Sequence, residues 1–168
     1  YDKALSHHNK LIINKKTLKL LKKNDAKDIL ELSDSREKYF IKICKHISSV
    51  GGFILIIDYG YLHRKNNFTL QSVYNNQKSN ILENTGHQDI TSLVDFKKFI
   101  SIAEEKKLKI KLFSSQRDFL IKYGIFERAK KVLIDSSLEQ KKIINEGLER
   151  ILNKNSMGSI FKVLIISK

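Results

Sequence analysis

A chain of 168 residues, 41% of them hydrophobic, is long enough for one domain with a sizeable core, and none of its apolar runs approaches the ~18 residues of a membrane-spanning helix. The lone cysteine, Cys44, excludes an internal disulfide and a cysteine metal cluster and points to a reducing compartment. The net charge of +14 would suit a nucleic-acid partner, but Arg36, Arg64, Arg117, Arg128 and Arg150 are the only arginines, lysine is spread over most segments and proline is absent, which reads instead as compositional drift toward Ile, Lys and Asn.

The opening Tyr1-Asp2-Lys3-Ala4-Leu5-Ser6 resembles neither a signal peptide nor a transit segment, and the missing initiator Met predicts a piece of a longer protein. Leu11-Ile12-Ile13 reads as a short strand, and 17–27 as a Lys-rich loop or frayed helix. The adjacent His7 and His8 point different ways on either element and read as a solvated pair, so no metal site is expected. From Ser33 the signals sharpen: Ser33 and Asp34 suit an N-cap, Asp34-x-x-Glu37 resembles a capping box, and Tyr39, Phe40, Ile43, Cys44, Ile47 and Val50 recur at helical spacing up to the stop at Gly51-Gly52. Cys44 lies on that apolar face and reads as core packing.

Phe53-Ile54-Leu55-Ile56-Ile57 is a continuous apolar run, the pattern of a strand covered on both faces, and it ends in Asp58-Tyr59-Gly60-Tyr61. Chemistry in open α/β sheets sits beyond the carboxyl ends of strands, so Asp58 is either a functional carboxylate or a cap of the following turn. Residues 62–90 lack sustained periodicity and predict a long connection, functional or mobile. Asp95 is expected to cap a helix with Phe96, Phe99, Ile100 and Ala103 inward; Leu108–Phe113 alternates like an exposed strand; Ser115 caps a short helix ending at Gly124. Helices over 125–134 and 138–152 and a last buried strand over 160–166 complete an α/β chain.

Five phrases, in order and spacing from about Glu31 onward, resemble the MidA-like class I S-adenosylmethionine-dependent methyltransferases, the family that includes the mitochondrial complex I assembly arginine methyltransferase. They are Gly51–Tyr61; Thr69-Leu70-Gln71-Ser72-Val73; Gly86-x-x-Asp89-Ile90-Thr91 leading to Val94-Asp95-Phe96; Gln116 with Phe119-Leu120, Gly124-Ile125 and Arg128; and Met157–Leu164. The resemblance implies the C-terminal half of a Rossmann-like methyltransferase sheet with flanking helices and a final antiparallel strand, residues 33–168, preceded by an extension over 1–32. It also implies S-adenosylmethionine as methyl donor, bound through a Gly-rich loop expected upstream of Tyr1, so that the isolated chain would neither bind the donor nor act. Relatives usually carry histidines at places that look like Asn76 and Leu93 here.

The implied reaction is methylation of a protein arginine, with a respiratory complex I subunit as the named candidate, in a bacterial cytoplasm or mitochondrial matrix; a homodimer is compatible. A guanidinium stays protonated at ordinary pH, so carboxylates must orient the fork and localise its charge. Asp58, Asp89 and Asp95 are the expected catalytic carboxylates, with Tyr59, Gly60, Tyr61, Thr91 and Gln116 on the substrate side. For Asp89 and Asp95, loop and helix capping is the competing role. The alternative function is a non-catalytic basic binding or assembly-scaffold module.

Overall fold

The computed structural model describes residues 31–63 and 68–168, so the expected strand at 11–13, the Lys-rich stretch 17–27 and the His7–His8 pair lie outside the described residues. The chain divides into two compact units, and the second, Ser33–Lys65 with Thr69–Lys168, carries every element below.

Helix α1 (Asp34–Val50) buries a narrow stripe of Phe40 and Cys44, with Ile47 packed beside them, while Tyr39 and Val50 stay exposed at 69% and 68%. The Ser33 hydroxyl makes no cap bond, and Glu37 meets Lys98 (3.9 Å). Gly51 and Gly52, at φ 85° and 106°, end the helix in the left-handed region that favours glycine. Strand β1 (Phe53–Tyr61) follows.

A three-stranded antiparallel sheet, ordered β3-β2-β4, occupies the segment expected to be a featureless connection: β2 (Gln71–Tyr74), β3 (Gln77–Ser79) and β4 (Asp89–Thr91). Strands of three or four residues are too short to show alternation, and the turn signal between the first two is Asn75-Asn76 in place of a glycine pair. A buried network holds this sheet together: the Ser72 hydroxyl donates to the Ser79 carbonyl (2.7 Å) and Ser79 Oγ to Gln88 Oε1 (2.7 Å).

Strand β5 (Val94–Asp95) leads directly into α2 (Phe96–Glu105), which Asp95 caps by accepting from the Lys98 N–H (3.0 Å). Phe96, Phe99, Ile102 and Ala103 of α2 are buried, and Phe99 stacks on Phe40 of α1 with centroids 4.1 Å apart. Then come β6 (Lys109–Ser115), α3 (Gln116–Lys122), α4 (Ile125–Ile134), α5 (Leu138–Leu152), the short α6 (Met157–Ile160) and β7 (Phe161–Ser167). The caps at Ser115 and Ser137 form as side-chain bonds, to the Asp118 and Gln140 amides respectively.

The main sheet is ordered β5-β1-β7-β6. Strand β7 is antiparallel to both its neighbours and β5 is parallel to β1, the expected final antiparallel strand of an α/β sheet. Val163, Leu164 and Ile166 of β7 have no exposed surface. Leu164 and Ile166 face the α1–α2 layer, together with Ile54 and Ile56. Phe53, Leu55 and Ile57, on the alternate face of β1, are 71%, 45% and 43% exposed, so within this chain only one face of the apolar run is covered. Among the described residues no helix is long and apolar enough to cross a membrane.

Two glycines make opposite predictions. A Cβ on Gly60 would meet the Val94 carbonyl oxygen and come within 2.5 Å of the Phe96 ring, whereas one on Gly147, inside α5, meets nothing within 4 Å. In urea denaturation Gly60→Ala should cost about 2–3 kcal/mol, and Gly147→Ala should stabilise by about 0.5–1 kcal/mol. Burial pushes the Cys44 thiol above its ordinary value of 9.0, against a smaller opposing pull from Lys106. A raised native pKa means that the folded state holds the proton more tightly, so this contribution is intact below pH 9.0 and lost as pH climbs through the native value. Stability should therefore fall as pH rises above 9.0, and Cys44→Ala should flatten that decline in denaturation curves.

Candidate active site

Strands β1, β5 and β6 run in one direction, since β5 is parallel to β1 and β7 opposes both β1 and β6. Their carboxyl ends therefore lie along one edge of the sheet, where ligands of open α/β sheets bind. The register pairs Gly60 with Val94 and Tyr61 with Asp95, and it sets Asp58, Lys162 and Ser115 in one row across three strands.

Strand alternation sorts these groups by face. Tyr59 and Tyr61 stand on the open face of β1, with Asp95 beside Tyr61, and the Tyr59 ring packs on Phe161 at 3.9 Å between centroids. Asp58 projects from the other face, beyond Ile54 and Ile56, where it is exposed and accepts the Tyr59 N–H (2.7 Å). It lies inside the strand, not at a turn. Lys162, opposite it, turns its ammonium to the Ser159 carbonyl. Asp89 and Thr91 are exposed on β4 of the smaller sheet, opposite Val73 and Gln71. The register thus sets Tyr61 opposite Asp95, whose carboxylate caps α2, with Tyr59 and Asp58 on alternate faces of β1 and Asp89 and Thr91 on the strand that leads into β5.

Other expected residues have structural work of their own. Gly60 is the position where α2 approaches β1 too closely for a side chain. Gln116 is buried, and its amide donates to the Ile151 carbonyl (3.1 Å), while the neighbouring Arg117 donates to Leu152 (2.7 Å), so both tie α3 to the end of α5. Asn75 and Asn76, at φ 48° and 61°, are the two turn residues of the β2–β3 hairpin, a conformation that asparagine tolerates well. Leu93 acts through its main chain: its N–H donates to Thr69 Oγ1 (3.1 Å) and its carbonyl accepts from Arg36 (3.1 Å). Sequence reasoning passed over Arg36 and treated Thr69 only as part of a phrase. A long-range contact between residues 57 positions apart has no local signature.

None of the seven glycines forms a Gly-rich turn between a strand and a helix: Gly51 and Gly52 close α1, Gly60 is within β1, Gly86 is in a loop, Gly124 precedes α4, and Gly147 and Gly158 lie in α5 and α6. Among the described residues, no group of three His, Cys, Asp or Glu could hold a metal ion.

Residues 3–114 match the family model described as "Putative S-adenosyl-L-methionine-dependent methyltransferase". The chain belongs to this methyltransferase family. It is 30% identical over 122 residues to the mitochondrial protein arginine methyltransferase NDUFAF7 homolog of Caenorhabditis elegans, covering 72% of the chain and 28% of that protein. It is also 30% identical over 142 residues to the corresponding Xenopus tropicalis enzyme, covering 83% and 32%. The chain thus spans about a third of the length of these curated relatives. Its fold superposes with a TM-score of 0.75 on a Burkholderia thailandensis protein crystallised with S-adenosyl-homocysteine, at 20% identity, covering 95% of this chain and 43% of that one. A native structure of the same superfamily and species gives 0.72 at 24% identity, covering 82% and 38%. These two likenesses establish the fold.

Within this family member, the hairpin geometry predicts that position 76 is conformational. Asn76→Gly should leave stability unchanged or slightly raised, and Asn76→Val should cost about 1–2 kcal/mol for a β-branched side chain forced into the left-handed region; thermal unfolding of both variants checks this.

Proposed function

We propose that this chain is the substrate-side part of an S-adenosylmethionine-dependent protein arginine methyltransferase, with a respiratory complex I subunit as the acceptor and the donor held by residues outside this chain. The observation that carries the reading is the parallel pairing of Gly60-Tyr61 with Val94-Asp95, which sets an acid and two tyrosines at the carboxyl edge of a methyltransferase-family sheet. The activity for which those relatives are named, protein arginine methylation, suits that chemistry.

Methyl transfer from a sulfonium is an in-line displacement that depends on orientation more than on acid–base work. The acceptor is a cation, so the protein's task is to hold the guanidinium fork, draw its charge toward one side, and leave a nitrogen lone pair free on the other. The candidate carboxylates are Asp95, paired in register with Tyr61, Asp58 on the other face of β1, and Asp89 on β4. Tyr59 and Tyr61 offer ring faces and hydroxyls to a flat cation, Thr91 adds a hydroxyl from the smaller sheet, and Gly60 and Gln116 keep the strands and helices around them in place. Asp95 already spends one carboxylate oxygen on the Lys98 amide. A capped carboxylate has a fixed direction, which is what a positioning group needs.

One observation favours a second reading, a non-catalytic basic module: Lys45, Lys106 and Lys107, with Ser48, Ser49 and Glu105, line a shallow depression between the ends of α1 and α2, at the edge of the sheet opposite the carboxylates. Such a surface would bind a polyanion with affinity that falls steeply with salt. Transfer of radiolabel from S-adenosylmethionine to protein by the full-length molecule separates the two readings. Asp58→Asn should lower that transfer by about 100-fold or more, and a loss smaller than twofold would remove Asp58 from the mechanism. Calorimetric titration of the isolated chain with S-adenosylmethionine should show no low-micromolar binding; finding it would place the donor site within these residues.

A further inference from the structure

Arg36 would touch no substrate, yet it makes the most specific side-chain contact to the segment that carries two of the candidate groups. Its Nη1 donates to the Leu93 carbonyl (3.1 Å) and its Nη2 to Ser92 Oγ (3.0 Å). Ser92 and Leu93 are the whole connection between β4, with Asp89 and Thr91, and β5, with Val94 and Asp95. The Leu93 N–H is taken from the other side by the buried Thr69 hydroxyl (3.1 Å), so both polar groups of Leu93 are engaged. The next residue of α1, Glu37, meets Lys98 (3.9 Å), whose backbone N–H donates to the capping Asp95 carboxylate. The first turns of α1 therefore grip the chain on both sides of Asp95.

This grip has work to do because β5 is only two residues long. Two register pairs with β1 are too short a ladder to fix the strand's position by themselves. A planar guanidinium donates to two acceptors in a fixed geometry, which an ammonium does not reproduce. Resting on the methyltransferase reading, we infer that Arg36 is a positioning residue: its two-pronged hold on Ser92-Leu93 fixes where Thr91 and Asp95 stand relative to Tyr59 and Tyr61, and so sets the turnover of methyl transfer. Small displacements of orienting groups are costly in such a reaction, where misplacement by ~1 Å loses about 100-fold.

The test uses the full-length protein with Arg36→Lys, Thr69→Val and the double variant. Arg36→Lys should lower kcat about tenfold or more, with KM for S-adenosylmethionine within about twofold and the melting midpoint nearly unchanged. Hydrogen exchange of the Leu93, Val94 and Asp95 amides should quicken about tenfold while β7 stays protected. Thr69→Val should lose less, and the double variant should lose less than the product of the two, since both hold one residue's main chain. A kcat within twofold of wild type in Arg36→Lys overturns the inference. So does a loss of kcat without faster exchange at 93–95, or a loss that tracks a general fall in melting midpoint. Absence of any transfer by the wild-type protein would sink the methyltransferase reading itself; the exchange comparison would then judge the grip alone, and unchanged exchange would refute it.

Discussion

The insertion of β7 between β1 and β6 is the constraint on which the other features of the structure hang. Seven register pairs join β7 to β1, from Phe53 opposite Ser167 to Tyr59 opposite Phe161, and a second ladder joins it to β6. Without β7 those two strands, which run the same way, would have unpaired peptide groups on facing edges, a state that burial does not tolerate. With it, Tyr59 gains the Phe161 ring, Asp58 acquires Lys162 as its cross-strand neighbour, and the start of α3 is brought to the edge that holds Tyr61 and Asp95. The pieces of the candidate site come from distant parts of the chain, and this last strand registers them.

Charges of both signs meet at each edge: Asp58 has Lys162 as its cross-strand neighbour and Asp95 caps the Lys98 N–H, while Glu105 stands with Lys45, Lys106 and Lys107 at the opposite edge. The apolar stripe of Phe53, Leu55 and Ile57 on β1, each more than two fifths exposed, is a surface of the kind that α/β sheets cover with helices.

Much of this was legible in the order of residues. Helices over 125–134 and 138–152 were readable from spacing, and the Asp95 and Ser115 caps were readable because a capping bond spans only three residues. The small sheet was not. Its strands are too short for periodicity, and its turn uses Asn-Asn, which in this Asn-rich chain does not stand out. The pairing of Glu37 with Lys98, 61 positions away, was equally out of reach, since no local pattern announces it.

The sequence by itself determined the α/β class, the order and bounds of the long elements, the family and the residue types available for chemistry, because each of these rests on local spacing or on short phrases. Only the tertiary structure decided which face each group occupies. It set Tyr61 opposite Asp95, with Tyr59 and Asp58 on alternate faces of β1, gave Gln116 to the α3–α5 junction, made position 76 a hairpin tip, and brought Arg36 to Leu93. The reason is geometric. Alternation assigns a side chain to one of two faces, but register between strands far apart in the chain decides what stands next to it, and register is a property of the assembled sheet.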